Sequence, residues 1–194
     1  MFSSTSYTEL EEFLRTQMSE KRFLHSKKTA ETCVTLAEQF HEDLSPSLCY
    51  LCGLVHDLVR EWSNEKLVRY AQEHALVLEK EEMLLPQLLH GPVAAHLLQK
   101  EGYDPSLCLA VRHHTLGNVA MGRLGLVLFI ADYLEPGRTH LAEVTRQKLL
   151  SLPSLEAICL QILYMQEAYF SKHEKCKAVS SSALETYLQG GGRL

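Results

Sequence analysis

The stretch Leu51-Cys52-Gly53-Leu54-Val55-His56-Asp57-Leu58-Val59-Arg60 decides how the chain reads. Its first half is apolar in the manner of a buried helix nearing its end, and it then sets an imidazole beside a carboxylate. A nitrogen donor next to an oxygen donor suits a first-row transition metal better than calcium or magnesium. The plain alternative is a polar helix end that happens to carry His-Asp. The rest of the chain has to choose between them.

Working outward, this helix is expected from Pro46, a residue suited to a first turn, to Trp62 and Ser63, with Leu48, Leu51, Cys52, Val55 and Val59 as its buried stripe. Gly53 costs about 1 kcal/mol relative to alanine inside a helix, which a close approach by another helix would explain. Upstream, Tyr7 to Ser19 presents Leu10, Phe13, Leu14 and Met18, and Phe23 to Phe40 presents Ala30, Cys33, Val34, Ala37 and Phe40. Both follow the spacing of a core-facing helix. His25 falls in the first turn of the second helix, beside Arg22, Ser26, Lys27 and Lys28. Positive charge at a helix start gains nothing from the macrodipole, so this cluster reads as a solvated face or as an anion site.

Downstream, Asn64 to Leu78 is amphipathic, capped by Ser63 or Asn64, with His74 exposed. An acidic patch at Glu79 to Glu82 precedes His90-Gly91-Pro92, a junction whose proline opens a helix that stops at Gly102. Asp104-Pro105 supplies the N-cap and first turn of the next helix, which ends in Arg112-His113-His114-Thr115. His114 shares a face with Leu107 and Val111 and points inward; His113 is rotated away. From Gly122 an apolar run ends at Asp132 on the Leu128 face, a carboxylate delivered from the core that needs a partner.

Thr139 to Leu150 reads as helix, and a long helix from Pro153 carries Leu155, Ile158, Cys159, Ile162, Met165 and Tyr169. A basic, serine-rich break at 172–182 leads to a short helix with Ala183, Leu184, Tyr187 and Leu188. Gly190-Gly191-Gly192 reads as a disordered tail. No stretch alternates as a strand does. The fold class is all-α, a single compact bundle of helices with a metal site between helix ends, and one domain over 1–194.

Composition limits the partners. A net charge of -5 argues against a nucleic-acid polymer, though a local metal centre can still attract a small phosphorylated ligand. No apolar run reaches membrane-spanning length, and the polar, acidic first residues do not read as a secretory signal. The six cysteines lie in apolar helical patterns. Cys49-Tyr50-Leu51-Cys52 has C-x-x-C spacing, but no second pair completes a zinc site, so buried thiols and a reducing, cytoplasmic location are expected.

His25, His56, Asp57, His90, His114 and Asp132 therefore sit on apolar faces or at helix junctions. Their order resembles the HD-domain superfamily of metal-dependent phosphohydrolases, and His90-Gly91 with His114-Thr115 places the chain with its dinuclear members. The wording Arg22-Phe-Leu-His25-Ser26, Gly53-Leu-Val-His56-Asp57, Leu89-His90-Gly91-Pro92, His114-Thr115-Leu-Gly117, Met121 and Ala131-Asp132-Tyr133-Leu134-Glu135-Pro136-Gly137-Arg138 resembles the YqeK family of symmetrical diadenosine tetraphosphate hydrolases. The resemblance runs from about residue 20 to 140.

It implies two metals, iron first, with manganese, cobalt or zinc as alternatives. His25, His56, Asp57 and Asp132 would hold one metal, and Asp57 would bridge to a second held by His90 and His114. With His56 and Asp57 at the catalytic centre, a metal-bound hydroxide would attack phosphorus and split diadenosine tetraphosphate into two ADP. Arg22, Arg60 and Arg138 would neutralise phosphate charge, and Thr115 would add a hydroxyl donor. Two positions depart from the family pattern. Arg60 stands where lysine is usual, keeping the charge but not its geometry, and Asn118 stands at an often basic position.

Three rivals follow from the same residues. One is a phosphohydrolase of this class acting on a nucleoside monophosphate or another polyphosphate. Another is a non-catalytic nucleotide-binding module, which would have no need of all six ligands. The third is a plain helical scaffold with incidental histidines. The apolar C-terminal helices either complete the core or form a homodimer face.

Overall fold

The computed structural model describes residues 7–139, 141–172 and 177–194. The expectations for residues before Tyr7, for 173–176 of the basic break and for Cys176 lie outside them. Among the described residues the chain forms eleven α-helices and no strand. These are α1 (Tyr7–Gln17), α2 (Glu20–Gln39), α3 (Pro46–Val55), α4 (Asn64–Glu73), α5 (Lys80–Leu84) and α6 (His90–Lys100). They continue as α7 (Pro105–His113), α8 (Gly122–Leu134), α9 (Glu143–Leu150), α10 (Leu155–Lys172) and α11 (Val179–Gln189). Single 3-10 turns at Pro86–Leu89 and Val119–Met121 lead into α6 and α8.

The apolar run that begins α8 is buried without a break from Leu124 to Ala131. A helix apolar on all sides has to be enclosed, and α8 is packed by α2, α3, α7 and α10. The crossing of α2 and α3 is one of backbone contact. A Cβ on Gly53 would lie 2.5 Å from the Cα of Ala30 and 2.6 Å from its nitrogen. The glycine therefore permits backbone-to-backbone contact between the helices that carry His25 and lead to His56.

Several boundaries differ from the sequence reading, each for a local reason. α2 starts at Glu20 because the Ser19 side chain caps it, accepting from the Arg22 amide. His25 thus sits in the second turn with Ser26, Lys27 and Lys28, while Arg22 stays in the first. α3 ends at Val55, well before Trp62. From there Leu58, Arg60 and Trp62 each donate to the carbonyl three residues back. This tighter winding re-aims His56 and Asp57 while leaving Val59 buried.

Within the acidic patch Glu82 is buried and receives both terminal nitrogens of Arg112, thirty residues away in sequence. Tyr169, expected in the α10 stripe, is 53% exposed, as the end of the helix runs past the core. The glycine tail is ordered: Gly192 donates to the Tyr187 carbonyl, and the Tyr187 hydroxyl donates to Arg193. The five described cysteines are free and buried, as expected for core thiols.

The later helices brace the two loops that matter most. Arg146 of α9 is buried and donates to the carbonyls of Leu134, Glu135 and Arg138. It satisfies acceptors that the end of α8 would otherwise leave unpaired. Ser181 of α11 donates to Leu116 at 2.6 Å, which ties down the loop following His114. His74 is exposed, and no described helix is long and apolar enough to cross a membrane.

Candidate metal centre

Four histidines and two aspartates meet where these elements end. His25 comes from the second turn of α2, and His56 and Asp57 from the turns after α3. His90 opens α6, His114 caps the end of α7, and Asp132 lies in the last turns of α8. Asp57, His56, His90 and His114 are buried, and Asp132 is partly open. All six candidate ligands are brought together.

The imidazoles are oriented by one repeated device. The Nδ1 of His56 donates to the Gly53 carbonyl at 2.7 Å, that of His90 to Gln87 at 2.7 Å, and that of His114 to Val111 at 2.8 Å. A carbonyl can only accept, so in each neutral ring Nδ1 carries the proton and Nε2 keeps its lone pair. His25 reaches the same state differently: its Nδ1 lies 3.1 Å from a carboxylate oxygen of the buried Glu135. Glu135 accepts in turn from the Gly137 amide. Glu135 had no role in the sequence reading, although it stands three residues after Asp132. Such outer partners fix ring orientation at metal sites.

All four Nε2 atoms converge on the carboxylates. Asp57 Oδ2 lies 3.5 Å from His25 Nε2 and 3.4 Å from His56 Nε2. Its other oxygen, Oδ1, lies 3.5 Å from His90 Nε2 and 3.8 Å from His114 Nε2. Asp132 Oδ1 is 3.0 Å from His25 Nε2 and 3.6 Å from His56 Nε2. Despite these distances, the buried Nε2 atoms of His25 and His56 have no aligned hydrogen-bond partner. Buried Nε2 atoms crowded against carboxylate oxygens without an aligned hydrogen bond are what a cation, taking the place of a proton, would resolve. The donor set of imidazole and carboxylate fits iron, manganese, cobalt or zinc.

Electrostatics divides the cluster. Burial opposes charge on His25, but Asp132, Asp57 and Glu135 overcome it and raise its pKa to about 10. For His56 burial is likewise overcome, by Asp57 and Asp132, and the value rises to about 9. Against their own burial, Asp57 is held well below the carboxylate range chiefly by His56, and Asp132 chiefly by His25. On the far side burial wins. It lowers His90 to about 3 with the help of His114, and it lowers His114 with the help of His56.

The expected phosphate-binding residues fall in three positions. Arg22 donates to Asp57 Oδ2 at 2.6 Å, and Arg138 to Asp132 Oδ1. The Thr115 hydroxyl lies 3.2 Å from His90 Nε2 and 3.1 Å from His114 Nε2, so it belongs to the cluster. Arg60 is not brought into contact with it. Its charge helps depress His90, but its guanidinium makes no hydrogen bond among the described residues. Asn118 faces Glu79 at 3.5 Å.

Several known proteins are similar to this chain. The chain is 34% identical over 127 residues to a symmetrical bis(5'-nucleosyl)-tetraphosphatase of Staphylococcus aureus, covering 63% of each chain. It is 32% identical to the protein of the same name from Bacillus subtilis, over 64% of this chain and 67% of that one. The match thus spans just under two thirds of the Staphylococcus aureus relative's length. A crystal structure from Clostridium acetobutylicum, described as a "predicted HD superfamily hydrolase involved in NAD metabolism", superposes with a TM-score of 0.86 at 26% identity. It covers 96% of this chain and 98% of its own. Residues 22–137 match the HD domain family profile, a span that takes in all six clustered residues, and the chain belongs to the HD domain family.

Proposed function

We propose that this protein is a metal-dependent hydrolase that converts diadenosine tetraphosphate and water into two ADP. The observation that carries the reading is the division of Asp57, with one oxygen facing His25 and His56 and the other facing His90 and His114. His25, His56, Asp132 and Asp57 Oδ2 would hold one metal, and Asp57 Oδ1, His90 and His114 a second, with iron the first choice. Bound there, such a pair would polarise a phosphoryl oxygen and bring the pKa of a water toward neutrality. The substrate is suggested by the names of the two bacterial relatives.

The chain's own residues would orient and neutralise the polyphosphate. The Thr115 hydroxyl donates toward the Nε2 lone pairs of His90 and His114, and with those lone pairs engaged by a metal its proton would be released to a phosphate oxygen. Arg22 and Arg138 each use part of a five-donor guanidinium on a carboxylate and keep other donors for phosphate. Arg60 supplies charge on the His90 side. In the reaction, the water oxygen bonds to a central phosphorus as the bridging P–O bond breaks. ADP leaves with that bonding pair, and the water's proton passes to solvent. We take residues 1–194 to act as one catalytic domain.

Product analysis tests the reading. Metal-loaded protein incubated with diadenosine tetraphosphate should yield ADP alone by chromatography. Equal amounts of ATP and AMP would replace symmetrical by asymmetrical cleavage. No cleavage, with turnover of a nucleoside monophosphate or another polyphosphate, would favour a different phosphohydrolase of this class.

A further inference from the structure

Outside the His25 half of the cluster lies a cleft of about 600 Å³, lined in part by Lys21, Arg22, Leu24 and Lys28 of α2 and by Glu135 and Arg138. Four of these six side chains are cationic and one is anionic. Glu135 is already engaged by His25 and the Gly137 amide, while Arg22 and Arg138 are paired with Asp57 and Asp132. The ammonium groups of Lys21 and Lys28 have no hydrogen bond or ion pair among the described residues. Their neighbour Lys27, by contrast, reaches Glu11 at 3.2 Å. Arg22 adds a buried Nε without a partner. Lys21, Leu24 and Lys28 stand at i, i+3 and i+7, so they share one face of α2. Leu24 is 45% exposed between the two lysines.

We propose that Lys21 and Lys28 are the specificity-determining residues for a nucleoside diphosphate half of the substrate. They hold the phosphates beyond the reacting one, and Leu24 offers an apolar surface to the nucleoside. This rests on the hydrolysis reading above and extends it. A dinucleoside polyphosphate brings negative charge into the cleft beyond the phosphorus attacked at the cluster. A nucleoside monophosphate spends its only phosphate at the cluster and brings none. The basic group around His25 is thus divided: Lys27 belongs to the packing against α1, and Lys21 and Lys28 belong to an anion site.

The test is the Lys21→Gln/Lys28→Gln double variant, at two exposed positions where folding is not at stake. Steady-state hydrolysis of diadenosine tetraphosphate and inhibition by ADP are measured across a salt series, beside metal content. The expected result is a rise of about tenfold in KM and in the ADP inhibition constant, with kcat within about twofold and metal unchanged. The salt dependence of KM should also flatten, because screening acts on charges the variant lacks. Wild-type KM, inhibition and salt response in the variant would overturn the proposal. Should the wild type fail to cut the dinucleotide, the hydrolysis reading falls by itself. Calorimetric ADP binding to both proteins then decides about the lysines: weaker binding by the variant supports them, and equal binding overturns them.

Discussion

The two halves of the cluster hold the same number of imidazoles and differ in nearly everything else. The His25–His56 half faces Asp132 and Asp57 Oδ2, is backed by Glu135, and has Arg22 and Arg138 at its edge. The His90–His114 half lies within 4 Å of one described carboxylate oxygen, Asp57 Oδ1, sets its two Nε2 atoms 3.1 Å apart, and receives the Thr115 hydroxyl. His56 is as buried as His90 and His114 yet shifts the other way, so there the opposite pKa directions come from carboxylate supply. A cation in the first half meets compensating charge; one in the second relies on neutral nitrogens and half of a shared carboxylate. The lesson is that a dinuclear-looking site need not be two equal sites.

The largest effect should come from removing the residue both halves share. Asp57→Ala is expected to lose metal from both halves and to reduce hydrolysis to the buffer rate, read by elemental analysis and product chromatography. Retention of full metal content would remove Asp57 as the bridge. A more selective change is His114→Ala, which should lower metal content from two equivalents to one and leave the remaining metal on the His25 side. Loss of both metals would show the halves to be interdependent.

The smallest of the three is Glu135→Gln, which keeps an acceptor for His25 Nδ1 but removes its charge. Metal affinity of the first half should weaken roughly tenfold, at the lower end of what outer partners contribute. An equivalent change is not available on the other side, where Nδ1 is held by backbone carbonyls.

The same contrast explains what the sequence could disclose. The six candidate ligands were legible because each interrupts an apolar helical pattern or stands at a helix end. The all-helical fold was legible because long periodic stripes need no partner strand. Less visible were features made by tertiary encounters. Glu82 read only as part of an acidic patch, and its buried pairing with Arg112 of α7 shows only in the fold. Glu135 gained its role only when the turn after α8 met α2. The end of α3 was missed because Val55 to Trp62 keeps a helical apolar spacing while winding through tighter turns. Gly190-Gly191-Gly192 looked like a disordered tail because a hydrogen bond from Tyr187 to Arg193 leaves no trace in composition.

The crossing at Gly53 has a consequence for which cations the cluster can accept. With no side chain on Gly53, the backbones of α2 and α3 meet at Ala30 and set the spacing of the helices that carry His25 and lead to His56. A cation of larger radius would have to be accommodated by the partly exposed Asp132, at the open edge, while the imidazoles stay where they are. The pair of helices works as a gauge of fixed bore, with one adjustable jaw.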